Sequence, residues 1–162
     1  MTEVAAAARV SRAWLYRYYP DRDCLVEALI DWGILRYAED LHAAVASVSS
    51  LEDQVFSAAL VHRAYWDADQ DYGQEWDRPY RDRVITRQAD KVFPLIMDAL
   101  KPALARARLQ GSVRKNIDID QASEWLARVI HSMAVTPGLT FDERDRSAIS
   151  AFLRSFAIAG LD

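Results

Sequence analysis

Apolar residues recur at helical spacing along almost the whole chain, whereas the alternating pattern typical of strands is nearly absent. A short alanine-rich helix is predicted to begin at Thr2, its expected cap, and a second helix after Ser11. Pro20 ends the second helix, because a proline disfavours helical backbone angles in the residue before it. Asp21 is then expected to cap a long third helix over 21–48. The pattern predicts an all-α protein.

Two later helix starts are marked by capping boxes, in which a hydroxyl residue precedes a glutamate by three positions. These boxes are Ser49-x-x-Glu52 and Thr140-x-x-Glu143. The acidic, glycine-containing run at 67–77 is predicted to be a loop. The helix that starts near the first box is therefore expected to end at that run.

Prolines and a glycine predict where the next helix bends and ends. Pro94 and Pro102 each lack a backbone N–H, so residues 78–110 are predicted to form two helices or one kinked helix. Gly111 is the expected C-terminal cap, and Asp118 is expected to cap the helix that follows.

The last two predicted helices carry the clearest apolar stripes of the chain. Either stripe could belong to the core of a single chain. Two such helices in a chain of this size nevertheless favour a partner subunit, so a homodimer is predicted. The expected interface residues are Trp125, Leu126, Val129, Ile130, Met133, Ile149, Phe152, Leu153 and Phe156.

Composition and charge narrow the class of protein. The 162 residues, of which 51% are hydrophobic and 27% charged, suit a globular protein with its own core. The formal net charge is -4, yet residues 1–20 carry three arginines against one glutamate, so that segment is +2 and the remainder -6. A basic end on an acidic body is typical of a protein that meets phosphate at one end. The plainer alternative is that these arginines are solvent-exposed on a helix face and contact no phosphate.

The single cysteine, Cys24, excludes an internal disulfide and fits a reducing compartment. Because it stands beside Leu25 and Val26, a buried and inert thiol is expected. No run approaches the ~20 apolar residues of a membrane span, and the N-terminal residues do not read as a signal peptide. These features predict a cytoplasmic protein with no membrane partner.

The stretch VSRAWLYRYYPDRDCL, residues 10–25, concentrates three arginines and three tyrosines after a tight break between two short predicted helices. Two short helices joined in this way, with arginines on the second, are typical of a helix-turn-helix. In that motif the second helix lies in the major groove, where arginine donates to guanine or to phosphate. The sequence therefore favours double-stranded operator DNA as a partner.

The longer stretch VAAAARVSRAWLYRYYPDRDCL resembles the DNA-binding motif of the TetR family of bacterial transcriptional repressors. The positions that match the family pattern, or replace a residue with a close relative, are Val4-Ala5, Ala8, Val10-Ser11, Leu15-Tyr16, Tyr18-Tyr19 and Leu25. Residues 104–126 are similar to the stretch that leads into the paired dimer helices of the family. The resemblance implies a helix-turn-helix region with its connecting helix at 1–46 and a helical ligand-binding and dimerisation domain at 47–162.

The resemblance also implies roles for individual residues of the head. The DNA-facing residues would be Ser11, Arg12, Ala13, Trp14, Tyr16, Arg17, Tyr18 and Arg22. Tyr16 and Tyr18 would contact backbone phosphates, and Arg22 would hold a phosphate beside a helix N-terminus. Leu15 and Tyr19 are expected to pack inside the head.

Three departures from the family pattern change these expectations. Arg9 replaces a turn glycine, at a cost of about 1 kcal/mol if the position needs a positive φ. Trp14 replaces a small hydroxyl residue, so the base preference of relatives does not transfer. The first helix of the family has no counterpart in the sequence, so this head is expected to be incomplete. A form with that helix is expected to bind a palindromic operator tightly, and this chain far more weakly.

The function that the resemblance implies is a ligand-responsive repressor, a homodimer that binds operator DNA and is released by a small molecule. The aromatic residues of the body favour a pocket for a small apolar or aromatic effector, since an acidic body offers little to an anion. The candidate lining residues are Trp32, His62, Trp66, Tyr72, Trp76 and Tyr80. Each of them, taken singly, could equally be a core aromatic.

Two other functions compete with this one. An enzyme is disfavoured, because His42, His62 and His131 are scattered and five glycines form no phosphate-binding loop. The acidic residues at 67–75 lack the spacing of a calcium loop, so no metal and no cofactor is expected. The remaining alternative is a dimeric small-molecule-binding helical protein that lacks DNA binding.

Overall fold

The computed structural model of the chain describes residues 1–73, 88–136, 138–142 and 145–161. All regular secondary structure in these ranges is helical, which confirms the predicted fold class. The α-helices are α1 Thr2–Ala7, α2 Arg12–Tyr18, α3 Arg22–Ala46, α4 Leu51–Gly73, α5 Phe93–Gln110, α6 Ile119–Val135 and α7 Arg146–Phe152. A π-helical turn, Gln88–Val92, precedes α5, and α7 continues as a π-helical segment, Leu153–Ile158, and a 3₁₀ turn, Ala159–Leu161. The chain divides into two compact units, Met1–Arg36 and Tyr37–Asp162.

The helix starts of the first unit are set by short side chains that bind free backbone N–H groups. Ser11 Oγ accepts from the backbone N–H of Trp14 at 3.1 Å, and Asp21 Oδ1 accepts from that of Cys24 at 2.7 Å. Both predicted caps are therefore confirmed. The predicted Thr2 cap is wrong, because Thr2 is already helical and no side chain caps α1.

Cys24 is exposed, so the predicted burial of its thiol is wrong. It occupies the first turn of α3, where its neighbours Leu25 and Val26 are half-buried and Cys24 itself faces solvent. The hydrogen bond from the thiol to the Asp21 carboxylate raises the pKa of Cys24, since it favours the protonated form.

The turn between α1 and α2 is closed by a Schellman motif. The backbone N–H of Val10 donates to the Ala5 carbonyl at 3.0 Å, and that of Arg9 donates to the Ala6 carbonyl at 3.1 Å. This geometry needs a left-handed residue after the helix, and Arg9 has φ 56°. Arg9, which replaces the turn glycine of the family pattern, therefore has the positive φ at which a residue other than glycine is predicted to cost stability.

The second unit is built around α6, which packs against both α4 and α5. Its largest fully buried apolar side chains come from α3, α4, α5, α6 and the π-helical segment after α7, and they are Leu41, Val55, Ile96, Leu100, Leu104, Leu126, Ile130 and Leu153. Buried Gln54 is fully paired: its amide donates to the carbonyls of Val45 and Val48, both at 3.0 Å, and accepts from Arg106 at 3.0 Å. This side chain ties the end of α3 to α4 and α5.

Two predicted capping boxes of the second unit are wrong in detail. The cap of α4 is Ser50, whose Oγ accepts from the backbone N–H of Asp53 at 3.0 Å, one residue later than the predicted Ser49. The cap of α7 is Asp145, which accepts from the N–H of Ser147 at 2.8 Å. The predicted start at Thr140 is too early by five residues, and Glu143 lies outside the described residues.

Helix ends follow the remaining predictions with two differences. The helix α4 continues to Gly73, so the beginning of the predicted loop at 67–77 is helical. Pro102 lies inside a helix that runs from Phe93 to Gln110, and Pro94 stands in its first turn, where no backbone N–H is needed. The left-handed cap at Gly111, with φ 75°, and the Asp118 cap are confirmed.

Arg9→Gly should raise the free energy of unfolding by about 1 kcal/mol, because glycine adopts positive φ without the steric cost that an arginine Cβ incurs. Arg9→Ala is the matched control, since it removes the charge and keeps the Cβ. Thermal and urea unfolding of both variants measure the effect. Equal stabilisation by alanine and glycine would show that the charge, and not the backbone, is responsible.

Candidate functional site

The exposed face of α2 combines two arginines with three aromatic rings. Trp14, Tyr16 and Tyr18 are 48%, 40% and 58% exposed, and Arg12 and Arg17 are exposed beside them. The other predicted DNA-facing residues, Ser11, Ala13 and Arg22, are exposed as well. Large aromatic side chains on the surface of a helix of seven residues are unusual for a segment that only covers a core.

The interior face of α2 holds the first unit together. Leu15 is 4% exposed and Tyr19 is half-buried, in agreement with their predicted packing roles. Ala5 of α1 is the other buried apolar residue of this unit. The head therefore has a small core, and every residue of α2 except Leu15 is exposed.

Contacts within α2 order its exposed side chains. The rings of Trp14 and Tyr18 lie 4.6 Å apart between centroids, one helical turn from each other. The guanidinium carbon of Arg12 lies 6.0 Å from the centre of the Tyr16 ring, within the range of a cation–π contact. These pairs reduce the entropy that the side chains would lose on binding a ligand.

In the second unit, three polar side chains from three helices form a hydrogen-bonded line. The Tyr37 hydroxyl on α3 lies 3.1 Å from His62 Nδ1 on α4, and His62 Nε2 lies 3.1 Å from His131 Nδ1 on α6. Tyr37 and His62 are buried, and His131 is half-buried. We call this set the Tyr37–His62–His131 line.

Burial keeps the line uncharged. Desolvation, together with the nearby His131, lowers the pKa of His62 to about 4, and desolvation also lowers the pKa of His131. Desolvation raises the pKa of Tyr37 above its ordinary value. At neutral pH the line therefore consists of a phenol and two neutral imidazoles.

Aromatic rings surround the line. Trp66 and Phe93 approach the His131 ring edge-on, with centroids at 6.0 Å and 5.1 Å. Tyr65 packs edge-on against Tyr37 at 5.3 Å, and its hydroxyl donates to Asp40 Oδ2 at 2.5 Å. An apolar, aromatic surrounding with a few aimed polar atoms has the composition of a small-molecule site.

The predicted ligand-binding residues have different positions in the structure. His62 and Trp66 lie in or beside the line, whereas Trp32 belongs to the first unit and is 61% exposed. The side chains of Tyr72, Trp76 and Tyr80 lie outside the described residues. Sequence reasoning missed Tyr37, Phe93 and His131, which no spacing along the chain connects to His62.

The predicted dimer residues divide into core and surface. Leu126, Ile130, Ile149 and Leu153 are buried in the core of the same chain, because α6 and α7 pack onto the helices before them. Val129, Met133 and Phe152 are half-buried, while Trp125 and Phe156 are 46% and 67% exposed. The Phe152 ring packs between Phe141 and Phe156, with centroids at 5.1 Å and 5.2 Å. The exposed part of the predicted interface is therefore aromatic.

Metal ligands are not clustered in the described ranges, where no group of three or more His, Cys, Asp or Glu side chains could hold an ion. The acidic run at 67–75 contributes one described side chain, Asp67, which pairs with Arg63 at 2.9 Å. Among the described helices, none has the length and apolarity to cross a membrane.

The all-α architecture is similar to that of a solved regulatory protein of the TetR family, in agreement with the fold that the sequence resemblance implies. Among solved structures, the chain is similar to a bacterial regulatory protein of the TetR family from Rhodococcus RHA1. The two share 15% sequence identity with a TM-score of 0.54, over 98% of this chain and 84% of that one. No protein-family model and no curated protein matches the sequence. The likeness at this identity establishes the fold.

The lowered histidine pKa values predict a loss of stability in acid. Between the unfolded pKa of 6.5 and the folded pKa of about 4, unfolded His62 binds a proton that the folded protein excludes. The free energy of unfolding should therefore fall by roughly 2 kcal/mol on acidification from neutral pH to about pH 5. The lowered pKa of His131 adds a loss of the same sign.

His62→Gln should flatten this dependence, and His42→Gln, at an exposed position, should leave it intact. Urea unfolding at several pH values measures the slope. The same slope in wild type and in His62→Gln would contradict the assignment of the pH dependence to the buried histidine.

Proposed function

We propose that the chain is a homodimeric transcriptional repressor that binds operator DNA and is released by a small apolar or aromatic molecule. The observation that carries this proposal is the exposed, ordered face of α2 with its arginines and aromatic rings, in a chain with the fold of a TetR-family regulator. All the charged and aromatic side chains of α2 are exposed.

The DNA contact is assigned to α2. The N-terminal residues of the second helix of a helix-turn-helix face the base edges, which places Arg12 and Trp14 at the groove. Arg17 and Tyr18, one turn later, are suited to phosphate oxygens. The -6 charge of the chain beyond residue 20 repels the duplex elsewhere, so binding is directed to this end.

The homodimer is assigned to the exposed aromatic surface formed by α6, the end of α7 and the π-helical segment that follows it. Trp125, Val129, Phe152 and Phe156 offer side chains that the protomer leaves partly or largely exposed. Trp125 is held in place, since its Nε1–H donates to the Ala157 carbonyl at 3.2 Å. Rigid aromatic anchors of this kind dominate the energy of protein interfaces.

The effector is assigned to the surroundings of the Tyr37–His62–His131 line. Trp66 and Phe93 are half-buried beside His131, so an apolar molecule can gain contact area there. Binding at this site would act on α3, α4 and α6 together, because each contributes one member of the line.

A dimeric small-molecule-binding protein with little DNA affinity is the second candidate. The observation in its favour is the small core of the first unit, where Ala5 and Leu15 are the buried apolar residues and Val4 is 40% exposed. A head with so little buried apolar surface is weakly stable, and DNA binding would have to supply the free energy that orders it.

Duplexes selected from a random-sequence library should be bound with an affinity that falls steeply as salt rises, because phosphate contacts release counterions. Arg17→Ala should weaken binding about ten-fold and reduce the salt dependence by roughly one phosphate contact. Fluorescence anisotropy at two salt concentrations measures both. Lys115→Ala is the control, since it removes the same charge from an exposed position of the second unit.

If no duplex is enriched, the second candidate function is favoured over the repressor. Equal losses in Arg17→Ala and Lys115→Ala would show that charge alone, and not the face of α2, governs DNA binding.

Phe156→Glu should convert a micromolar dimer to monomer, because a carboxylate buried in an aromatic interface costs several kcal/mol. The protomer should stay folded, since Phe156 is 67% exposed within it. Sedimentation measures the mass, and circular dichroism monitors the fold. Leu109→Glu is the control: Leu109 is an equally apolar, 86% exposed residue on α5. A wild-type protein that sediments as a monomer would refute the proposed dimer.

A further inference from the structure

The two hydrogen bonds of the Tyr37–His62–His131 line can both point from donor to acceptor in one of two directions. A neutral imidazole has one N–H donor and one acceptor nitrogen, so each bond fixes the next. In the forward direction, the Tyr37 hydroxyl donates to His62 Nδ1, and His62 Nε2–H donates to His131 Nδ1. In the reverse direction, His131 donates to His62 and His62 donates to the Tyr37 oxygen.

Burial at the Tyr37 end favours the forward direction. Tyr37 is 4% exposed, and its hydroxyl has one hydrogen-bond partner among the described residues, His62 Nδ1. The reverse direction uses the oxygen as an acceptor and leaves the buried O–H without a partner, which is strongly unfavourable. The forward direction pairs the Tyr37 hydroxyl donor and both ring nitrogens of His62.

We propose that the line runs from Tyr37 to His131 and ends in an N–H donor at His131 Nε2, which binds a hydrogen-bond acceptor on an uncharged aromatic ligand. His131 is half-buried, whereas Tyr37 is buried, so the residue at the His131 end of the line is the more exposed of the two. The biological use of the ligand rests on the proposed function, whereas the donor and its ligand class rest on the geometry of the second unit.

The rings beside His131 define the aromatic part of the ligand. The rings of Trp66 and Phe93 both contact the His131 ring edge-on, with centroids at 6.0 Å and 5.1 Å from it. Aromatic side chains in offset or edge-on arrangements bind a further aromatic ring favourably. A ketone, ester or ether oxygen next to such a ring would reach the donor while the ring packs on these neighbours.

The charges near these rings favour an uncharged ligand. Arg128 lies over the Phe93 ring at 6.0 Å, and its Nε donates to Glu124 at 2.9 Å. Arg63 forms an ion pair with Asp67 and donates to the Met133 carbonyl at 3.3 Å. Since each guanidinium already has a carboxylate partner, an anion gains little from either.

Nitrogen-detected tautomer spectra of the ¹⁵N-labelled full chain test the direction of the line without any ligand. The chain has three histidines, and His42→Gln identifies the signal of the exposed one. His62 and His131 should both carry their proton on Nε2. A proton on Nδ1 of His131 would overturn the proposal.

Tyr37→Phe keeps the buried ring and removes the hydroxyl that sets the direction. Both tautomers of His131 should then be populated. An unchanged tautomer in this variant would show that Tyr37 does not determine the direction, and would overturn that part of the inference.

Acetophenone and α-methylstyrene test the ligand class, because they have the same shape and differ by a carbonyl in place of a C=CH₂ group. Chemical-shift titration gives the affinity of each for wild type and for His131→Phe. The affinity for acetophenone divided by the affinity for α-methylstyrene should be about ten-fold lower in the variant than in wild type, since the bound carbonyl loses its donor. An unchanged ratio, or no binding of acetophenone to wild type, would overturn the proposed ligand class.

If His131→Phe does not fold, Tyr37→Phe takes its place, and the ratio should fall there by a smaller factor because the donor is present part of the time. None of these measurements involves DNA. A protein that fails to bind any duplex but shows the expected tautomers would refute the proposed repressor and leave this inference standing.

Discussion

The burial of His62 is the constraint on which the second unit depends. An imidazole that is 3% exposed is costly to charge, and each of its nitrogens needs a hydrogen-bond partner. Both partners come from other helices, Tyr37 from α3 and His131 from α6. Beyond the aromatic rings around this line, most of the fully buried residues of the unit are aliphatic, and their contacts are not directional. The hydrogen bonds of His62 permit one register, so they supply specificity that apolar packing alone does not.

Features of the fold that depend on a few neighbouring residues could be predicted from the sequence. The caps at Ser11, Asp21, Asp118 and Gly111 are local interactions between a side chain or a glycine and the backbone beside it. The start of α4 could not be placed to the residue, because two adjacent serines can each cap and the packing of the helix decides between them. The resemblance to the TetR-family motif pointed to strain at Arg9, because the family has a turn glycine at that position, and Arg9 has positive φ.

The candidate sites could be predicted in part, for a similar reason. The exposure of Trp14 and the burial of Leu15 agree with the roles that the resemblance to the family motif implies. The line between His62 and His131 joins residues that are 69 positions apart, and their meeting depends on how α4 packs against α6. The dimer stripe shows the limit of periodicity, since an apolar row indicates that a face is covered and does not reveal whether the same chain or a second one covers it.

The exposed Cys24 makes this chain convenient for spectroscopic labelling. It is the single cysteine of the sequence and lies in the first turn of α3, so a maleimide dye or spin label would attach at one defined place in the first unit. Because the Asp21 carboxylate accepts a hydrogen bond from the thiol and raises its pKa, less thiolate is present at neutral pH than on an ordinary surface cysteine. Attachment of the label will therefore be slow at neutral pH and faster in mildly alkaline buffer. The backbone N–H of Cys24 keeps its own bond to Asp21, so the helix start survives the modification.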